Sequence, residues 1–110
     1  MPLSERARIE VYLPDLPRPA YQRLLTTLEQ ELCYTFGGCT TIRNLDGRYL
    51  SQAGHVIADR VHHLYTDAPI SFDDHSPLLA GYADELRRAA HEALDEEAIL
   101  VAVHRVFHAE

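Results

Sequence analysis

Histidines are the side chains best suited to chemistry in this sequence. The chain has seven of them in 110 residues, and imidazole can bind metal or exchange a proton near neutral pH. His62 and His63 are adjacent, so in a strand they face opposite sides of the sheet. His104 and His108 share one side but are separated by roughly 13 Å along the strand. That separation is too large for both to bind one ion at about 2.1 Å.

A metal site would therefore need one histidine from each of two strands. The combination that fits is His62 or His63 with His104, completed by a carboxylate such as Asp59 or Glu10. Polar histidines on a sheet surface are the commoner outcome of such spacing, so we assign no metal ligand and name no cofactor. A metal-binding protein using sheet-face histidines is kept as an alternative.

The tripeptide Asp73-Asp74-His75 places hard oxygen ligands beside an imidazole. It could bind a divalent cation or supply a general acid–base pair. We expect instead a solvated acidic loop leading into a helix, because acidic residues are stabilised at a helix N-terminus. Ser76 and Pro77 then predict the N-cap and the first helical residue.

Two cysteines, Cys33 and Cys39, have neither the spacing of a Cys-x-x-Cys motif nor that of a zinc site. We expect Cys33 late in a helix and Cys39 at the start of a strand, both as buried reduced thiols. A redox pair is the alternative. The sequence has no Gly-x-Ser-x-Gly elbow and no glycine-rich phosphate loop. Nucleophilic catalysis has no support, and whether the protein is an enzyme stays open.

Hydrophobic periodicity predicts the elements that must position these side chains. Period two indicates strands and a period of 3.6 indicates helices. The hairpin has a twisted or bulged first arm and turn residues at Asp46-Gly47 and near Gly54. In order, the elements are a strand over Arg6–Leu13, a helix from Ala20 to Phe36, a hairpin within Gly37–Thr66, a helix from Pro77, and a strand over Ala98–His108.

This order predicts an α+β fold, a ferredoxin-like βαββαβ sandwich with a four-stranded antiparallel sheet and both helices on one face. The first and third strands lie in the middle, with the last strand beside the first. The opposite face then carries Tyr12 and His104. The third strand adds one of its two sets of alternating side chains, either the set with Asp59 and His63 or the set with His62. The sequence does not choose between them, because neither set is cleanly apolar. We take Tyr12, Asp59, His63 and His104 as the candidate ligand-binding residues.

Composition narrows the function classes. We expect one domain over residues 1–110. The net charge of −7 disfavours binding to nucleic acid or to an anionic membrane surface. The first residues lack the apolar run of a secretory signal, and the longest apolar run is too short to span a bilayer. We therefore expect a cytoplasmic protein.

Four short motifs carry a resemblance to known proteins: Gly38-Cys-Thr40, Asp46-Gly47-Arg-Tyr49, Gly54-His-Val-Ile-Ala-Asp59 and Leu94–Val103. With them the hairpin resembles a family of small uncharacterised bacterial proteins, a domain of unknown function. The resemblance rests on short motifs, with Tyr49 where that family commonly has tryptophan and Glu97 where it has glutamine. It implies the βαββαβ fold and transfers no activity or catalytic residue. A looser similarity, at the level of the fold, is to dimeric α/β-barrel proteins.

The function predicted from the sequence is that of a small, non-enzymatic domain that forms a homodimer, or binds a partner, through the open sheet face. The alternative is a small-molecule-binding protein, or a small enzyme of the dimeric α/β-barrel kind, with its ligand on the same face.

Overall fold

The computed structural model describes residues 3–15, 18–94 and 99–109. The elements are β1 (Leu3–Pro14), α1 (Pro19–Phe36), β2 (Thr40–Leu50), β3 (Val56–Ala68), α2 (Phe72–Leu94) and β4 (Leu100–Ala109). The strands form one antiparallel sheet in the order β2-β3-β1-β4. The predicted βαββαβ fold, its central first and third strands and the place of its last strand are confirmed. The expected strand start at Ala98, and Glu97, lie outside the described residues.

The core lies between the two helices and one face of the sheet. Alternate residues of β1 point into it because successive side chains of a strand face opposite sides. On α1 the buried residues recur at helical spacing, which makes one apolar stripe. The largest fully buried side chains are Ile9, Leu13, Leu25, Leu32, Leu64 and Val11. Leu79, Leu86 and Ala90 of α2 and Ile99, just before β4, join the same cluster.

The helix boundaries show one correct and one incorrect prediction. Gly37 ends α1 in the left-handed region at φ 92°, and its N–H donates to the carbonyl of Cys33 at 2.8 Å, as expected of a glycine cap. However, α2 begins five residues before Pro77, and the Ser71 hydroxyl accepts the N–H of Asp74 at 3.4 Å. Ser71 therefore takes the capping position predicted for Ser76. Proline is tolerated best in the first turn but does not fix where a helix starts.

The early start of α2 changes the setting of the acidic tripeptide. Asp73 and Asp74 lie in the first turn of the helix rather than in a loop. Asp73 pairs with Arg105 of β4, and Nδ1 of His75 lies 2.9 Å from the carbonyl oxygen of Ser71. The first contact ties the N-terminus of α2 to the sheet and the second stays within the start of the helix, so Asp73 and His75 have structural partners.

The hairpin is bulged as predicted but turns only once. The register on β3 shifts between Ile42 and Leu45, and Asn44 has φ 62°, a conformation that asparagine tolerates better than most residues. The chain reverses near Gly54, at φ 82°. Gly47 lies within β2, opposite Asp59, so the turn expected at Asp46-Gly47 is wrong. Cross-strand pairing prevailed there over local turn preference.

The far end of the hairpin projects beyond the rest of the sheet. The pairing of β1 with β3 ends at Pro14 opposite Val61, whereas β2 and β3 stay paired out to Leu50 opposite Val56. The radius of gyration is 15.1 Å, against about 13 Å for a compact chain of this length. We call residues 46–50 and 56–60 the projecting ribbon. None of the described helices is long and apolar enough to cross a membrane.

Candidate functional site

The uncovered side of the sheet, which we call the open face, carries side chains from every strand. Its phase on β3 is set by the register, in which Tyr12 lies opposite His63 and Arg8 opposite Asp67. His62 faces the core with Leu64 and Thr66. The ambiguity left by the sequence is resolved in favour of the set that contains His63. The described residues of the face are Arg6, Arg8, Glu10, Tyr12, Thr40, Ile42, Leu45, Val61, His63, Tyr65, Asp67, Leu100, Ala102, His104, Val106 and His108.

Glu10 is the centre of this face. Its Oε2 accepts a hydrogen bond from the Tyr12 hydroxyl at 3.0 Å and lies 3.2 Å from Nε2 of His63. Its Oε1 pairs with Nε2 of His104. The residue is only 9% exposed although no helix covers it. One carboxylate therefore joins side chains of β1, β3 and β4.

The electrostatics of Glu10 favour its charged form. Burial is the largest single influence and raises its pKa, because it penalises a charged carboxylate. Hydrogen bonds from His104 and Tyr12 and the charges of His104 and His63 act the other way and leave the pKa below its ordinary value. The pKa of Tyr12 is raised, first by burial and then by its hydrogen bond to Glu10. Tyr12 therefore acts as a proton donor to Glu10 in a hydrogen bond and stays protonated.

A second carboxylate repeats this arrangement along the sheet. Asp67 accepts two hydrogen bonds from Arg8, from Nε at 2.7 Å and from Nη2 at 2.9 Å. Nε2 of His108 lies 2.8 Å from its Oδ2. The Arg8 hydrogen bond is the main cause that lowers the pKa of Asp67, with a further lowering from His108 against the effect of burial. Fork-shaped pairing of this kind is the strongest geometry for an arginine and a carboxylate.

Flat side chains stack between the two carboxylates. The rings of Tyr12 and His63 lie 4.6 Å apart at 5°, and His63 and Tyr65 lie 5.2 Å apart at 31°. The guanidinium of Arg8 sits 4.3 Å from the centre of the Tyr65 ring. This stack holds the imidazole of His63 in place and covers the backbone beneath it.

Three of the four predicted site residues come together and one does not. Tyr12, His63 and His104 all contact Glu10. Asp59 lies in the projecting ribbon, past the end of β1, and its Oδ1 accepts the N–H of Arg60 at 2.8 Å. The structure therefore does not bring Asp59 together with the other three. The sequence predicts the end of β1 near Pro14 but not the register, which carries β3 past that end.

Two central residues of the face are missing from the four candidate ligand-binding residues predicted from the sequence. The alternation of the first strand predicts Glu10 on this face, in phase with Tyr12, and the sequence also offers it as a metal ligand, but it is not among the candidate ligand-binding residues. The sequence predicts that the hairpin ends at Thr66, which leaves Asp67 outside the sheet. The strand runs to Ala68, which puts Asp67 opposite Arg8. An acidic residue two positions after Tyr65 was the available signal.

The geometry limits the metal alternative. His62 is 4% exposed, faces the core, and has its Nε2 at 3.2 Å from Oδ1 of Asp15, so it cannot share an ion with His104. His63 and His104 both direct Nε2 toward Glu10. Within the part of the chain that the structure describes, no group of three histidine, cysteine or acidic residues is placed to hold a metal ion.

A cleft borders the open face at the edge of β3. Here β3 extends past the first residue of β2, and the Thr66 hydroxyl donates to the carbonyl of Gly38 at 2.6 Å. The cleft has a volume of about 320 Å³, near the lower end of the range for ligand pockets. Its lining is Phe36, Gly38, Cys39, Thr40, Tyr65, Thr66 and Asp67.

Comparison with solved structures supports the fold. A divalent cation tolerance protein, CutA1, from Thermus thermophilus superposes with a TM-score of 0.57 at 12% identity, over 91% of this chain and 82% of that one. CutA1 from Oryza sativa gives 0.60 at 13%, over 97% and 84%. CPII, a nitrogen regulatory PII-like protein from Thiomonas intermedia solved with ADP, AMP and bicarbonate, gives 0.50 at 17%, over 99% and 100%.

At these identities the likeness is one of fold. No family model matches the chain, and no curated protein matches it in sequence. The structural neighbours agree with the small ferredoxin-like α+β domain implied by the sequence resemblance. The bacterial origin and the uncharacterised family in that resemblance stay predictions.

Proposed function

We propose that this protein is a self-associating domain that pairs with further copies of itself through the open face. The observation that carries the proposal is a sheet surface with exposed apolar side chains around charges that are already paired. Leu100 is 58% exposed and Ile42 is 40% exposed, and both lie on this face by register. Ile42 and Leu100 lie on the two outer strands, in one row across the sheet with Tyr12 and His63 between them. Isolated exposed leucines are ordinary, but several exposed apolar side chains on one sheet face are typical of an interface.

The pairing of the charged groups lowers the cost of covering the face. A buried charge without a partner is strongly destabilising. Glu10 has Tyr12, His63 and His104 as partners, and Asp67 has Arg8 and His108. A second copy could therefore cover this surface without leaving either carboxylate unpaired, which suits the centre of an interface.

The total surface supports the same proposal. The chain exposes 7032 Å², whereas a compact monomer of 12.5 kDa exposes about 6,200 Å². The excess is close to the roughly 800 Å² per partner that a standard interface buries. The projecting ribbon accounts for part of it, with Leu50 and Val56 both about 70% exposed. The homodimer predicted from the sequence is the simplest closed assembly.

The test is the mass of the protein in solution. Light scattering after size exclusion is expected to give twice the chain mass of 12.5 kDa, or a higher multiple. Leu100→Glu adds a charge to the open face and is expected to give the monomer mass. Leu78→Glu is the matched control, since Leu78 is 71% exposed on α2, and it should keep the multiple. A wild-type monomer at high concentration would exclude the proposal, as would equal masses for the two variants.

Small-molecule binding at the edge cleft is the second candidate. The observation that favours it is the cleft itself, which Phe36 and Asp67 both line. One structural neighbour, CPII, was solved with ADP, AMP and bicarbonate, so adenine nucleotides are suitable first probes.

Binding is tested by calorimetry and by thermal shift, because a ligand that prefers the folded state raises its stability. We expect ADP or AMP to raise the melting temperature of the wild-type protein. Thr40→Arg, which fills the cleft, should abolish the shift, and Thr27→Arg on the exposed side of α1 should keep it. No shift and no heat with either nucleotide would remove this candidate.

A further inference from the structure

The two cysteines face one another across the junction between α1 and β2. Cys33 lies in the last turn of α1, and Cys39 directly precedes β2. Their Sγ atoms are 3.6 Å apart, and both thiols are free. A disulfide needs about 2.05 Å, so closure requires an approach of about 1.5 Å. The connecting segment contains Gly37 and Gly38, which have no side chain to obstruct that movement.

The two sulfurs differ in their environment. Cys33 is exposed, which corrects the expectation that both thiols are buried, and Cys39 is half-buried. The Cys39 sulfur also lies 3.7 Å from the carbonyl oxygen of Glu29. Burial, and next the hydrogen bond with Cys33, raise the pKa of Cys39 to about 11. Because the thiolate is the nucleophile, Cys33 is the sulfur able to meet an oxidant, and Cys39 is placed behind it.

We propose that Cys33 and Cys39 are a reversible redox pair, which closes to an intramolecular disulfide on exposure to hydrogen peroxide. The Cys33 thiolate attacks one peroxide oxygen and becomes a sulfenic acid, and the other oxygen leaves as water after taking a proton. The Cys39 sulfur then attacks the Cys33 sulfur. The S–S bond forms as the sulfenic oxygen leaves with the Cys39 proton as a second water. The thiols lose two electrons, and the peroxide gains them.

The disulfide would fasten the end of α1 to the start of β2. It would also fix Cys39 in the wall of the edge cleft. In a reducing compartment the dithiol is the resting form, and the closed form appears only while oxidant is present. This is the behaviour of a sensor, and it differs from that of a permanent structural disulfide.

The test treats the reduced full chain with a small excess of hydrogen peroxide. We expect loss of both free thiols, an intact mass lower by two hydrogens, and a peptide that links Cys33 to Cys39 within one chain. Dithiothreitol should restore the starting mass. The melting temperature of the oxidised form should be higher by about 5–10 °C, since closing even a short loop restricts the unfolded chain.

Two single variants identify the roles of the sulfurs. Cys39→Ser should stop at the oxygenated acids of Cys33 or cross-link two chains through it. Cys33→Ser should react at least about tenfold more slowly, because Cys39 offers little thiolate. The proposal is overturned if the wild-type protein only gains oxygen, only links two chains, or keeps both thiols in excess peroxide. Equal rates for Cys33→Ser and the wild-type protein would overturn the assigned roles.

Discussion

Replacing Glu10 with glutamine tests whether the open face is organised around one carboxylate. Glutamine has nearly the same shape, so the packing around it should change little. It keeps one acceptor oxygen and puts an amide donor where the other was. In the wild-type protein the two carboxylate oxygens of Glu10 form hydrogen-bond contacts with Tyr12, His63 and His104. At least one of these side chains therefore loses its partner in Glu10→Gln.

The expected loss of unfolding free energy in Glu10→Gln follows from the number of hydrogen bonds to Glu10 and from its burial. A hydrogen bond to a charged group contributes about 1.5–3 kcal/mol. Removing the charge also removes the cost of burying it, which offsets part of the loss. We expect the free energy of unfolding of Glu10→Gln to fall by about 2 kcal/mol. For a chain of 110 residues this lowers the melting temperature by about 9 °C.

The assay is urea unfolding followed by circular dichroism, carried out in the Leu100→Glu background so that self-association does not contribute. Glu92→Gln, at an exposed position of α2, is the matched control and should change stability by less than about 0.5 kcal/mol. If Glu10→Gln is no less stable than Glu92→Gln, the hydrogen bonds of Glu10 do not organise the face.

The pH dependence of the stability difference between the wild-type protein and Glu10→Gln gives an independent check. The pKa of Glu10 in the folded state lies below its ordinary value of 4.5. A depressed pKa means that the charged group stabilises the fold above about pH 4.5, and that this stability is lost as the pH falls through the folded pKa. The stability difference between wild-type protein and Glu10→Gln should therefore be full at pH 6 and shrink in acid. A difference that grows below pH 4.5 would contradict the assigned direction.

Three further substitutions test other parts of the structure by urea unfolding. Asp67→Asn removes the paired hydrogen bonds from Arg8 and should cost about 1–3 kcal/mol. Because the pKa of Asp67 is depressed, that cost should vanish in acid, and an effect that persists there would refute an electrostatic cause. Gly37→Ala puts a side chain on a residue with φ 92° and should lower the free energy of unfolding by about 1 kcal/mol. Gly38→Ala, at a residue with equal space and no positive φ, should lower it little, and equal losses for the two variants would refute the conformational explanation. Leu25→Ala opens a cavity at a side chain only 1% exposed and should cost about 2–5 kcal/mol, and a smaller loss would mean that α1 packs loosely on the sheet.

The helices and strands predicted from the sequence agree with the structure where one strong hydrophobic pattern dominates. The alternation that includes Ile9 and Val11 places β1, and the leucines that include Leu28 place α1, because burying an apolar stripe outweighs weaker signals. They disagree where several signals compete. Asp46-Gly47 has the residues of a turn and lies in a strand, since pairing with β3 stabilises it there. Self-association, the small ligand, the cytoplasmic location and the metal alternative are predictions that depend on experiment.

The sequence by itself determined the order of the elements, the antiparallel sheet and which strands lie in its centre, because these follow from hydrophobic period and short right-handed connections. It also placed Tyr12 and His104 on one face. Only the tertiary structure decided that His63, not His62, joins them, and that Asp59 lies apart in the projecting ribbon. The physical reason is register. A strand with mixed residues on both sides takes its phase and its ends from its neighbours, and these contacts are distant in sequence.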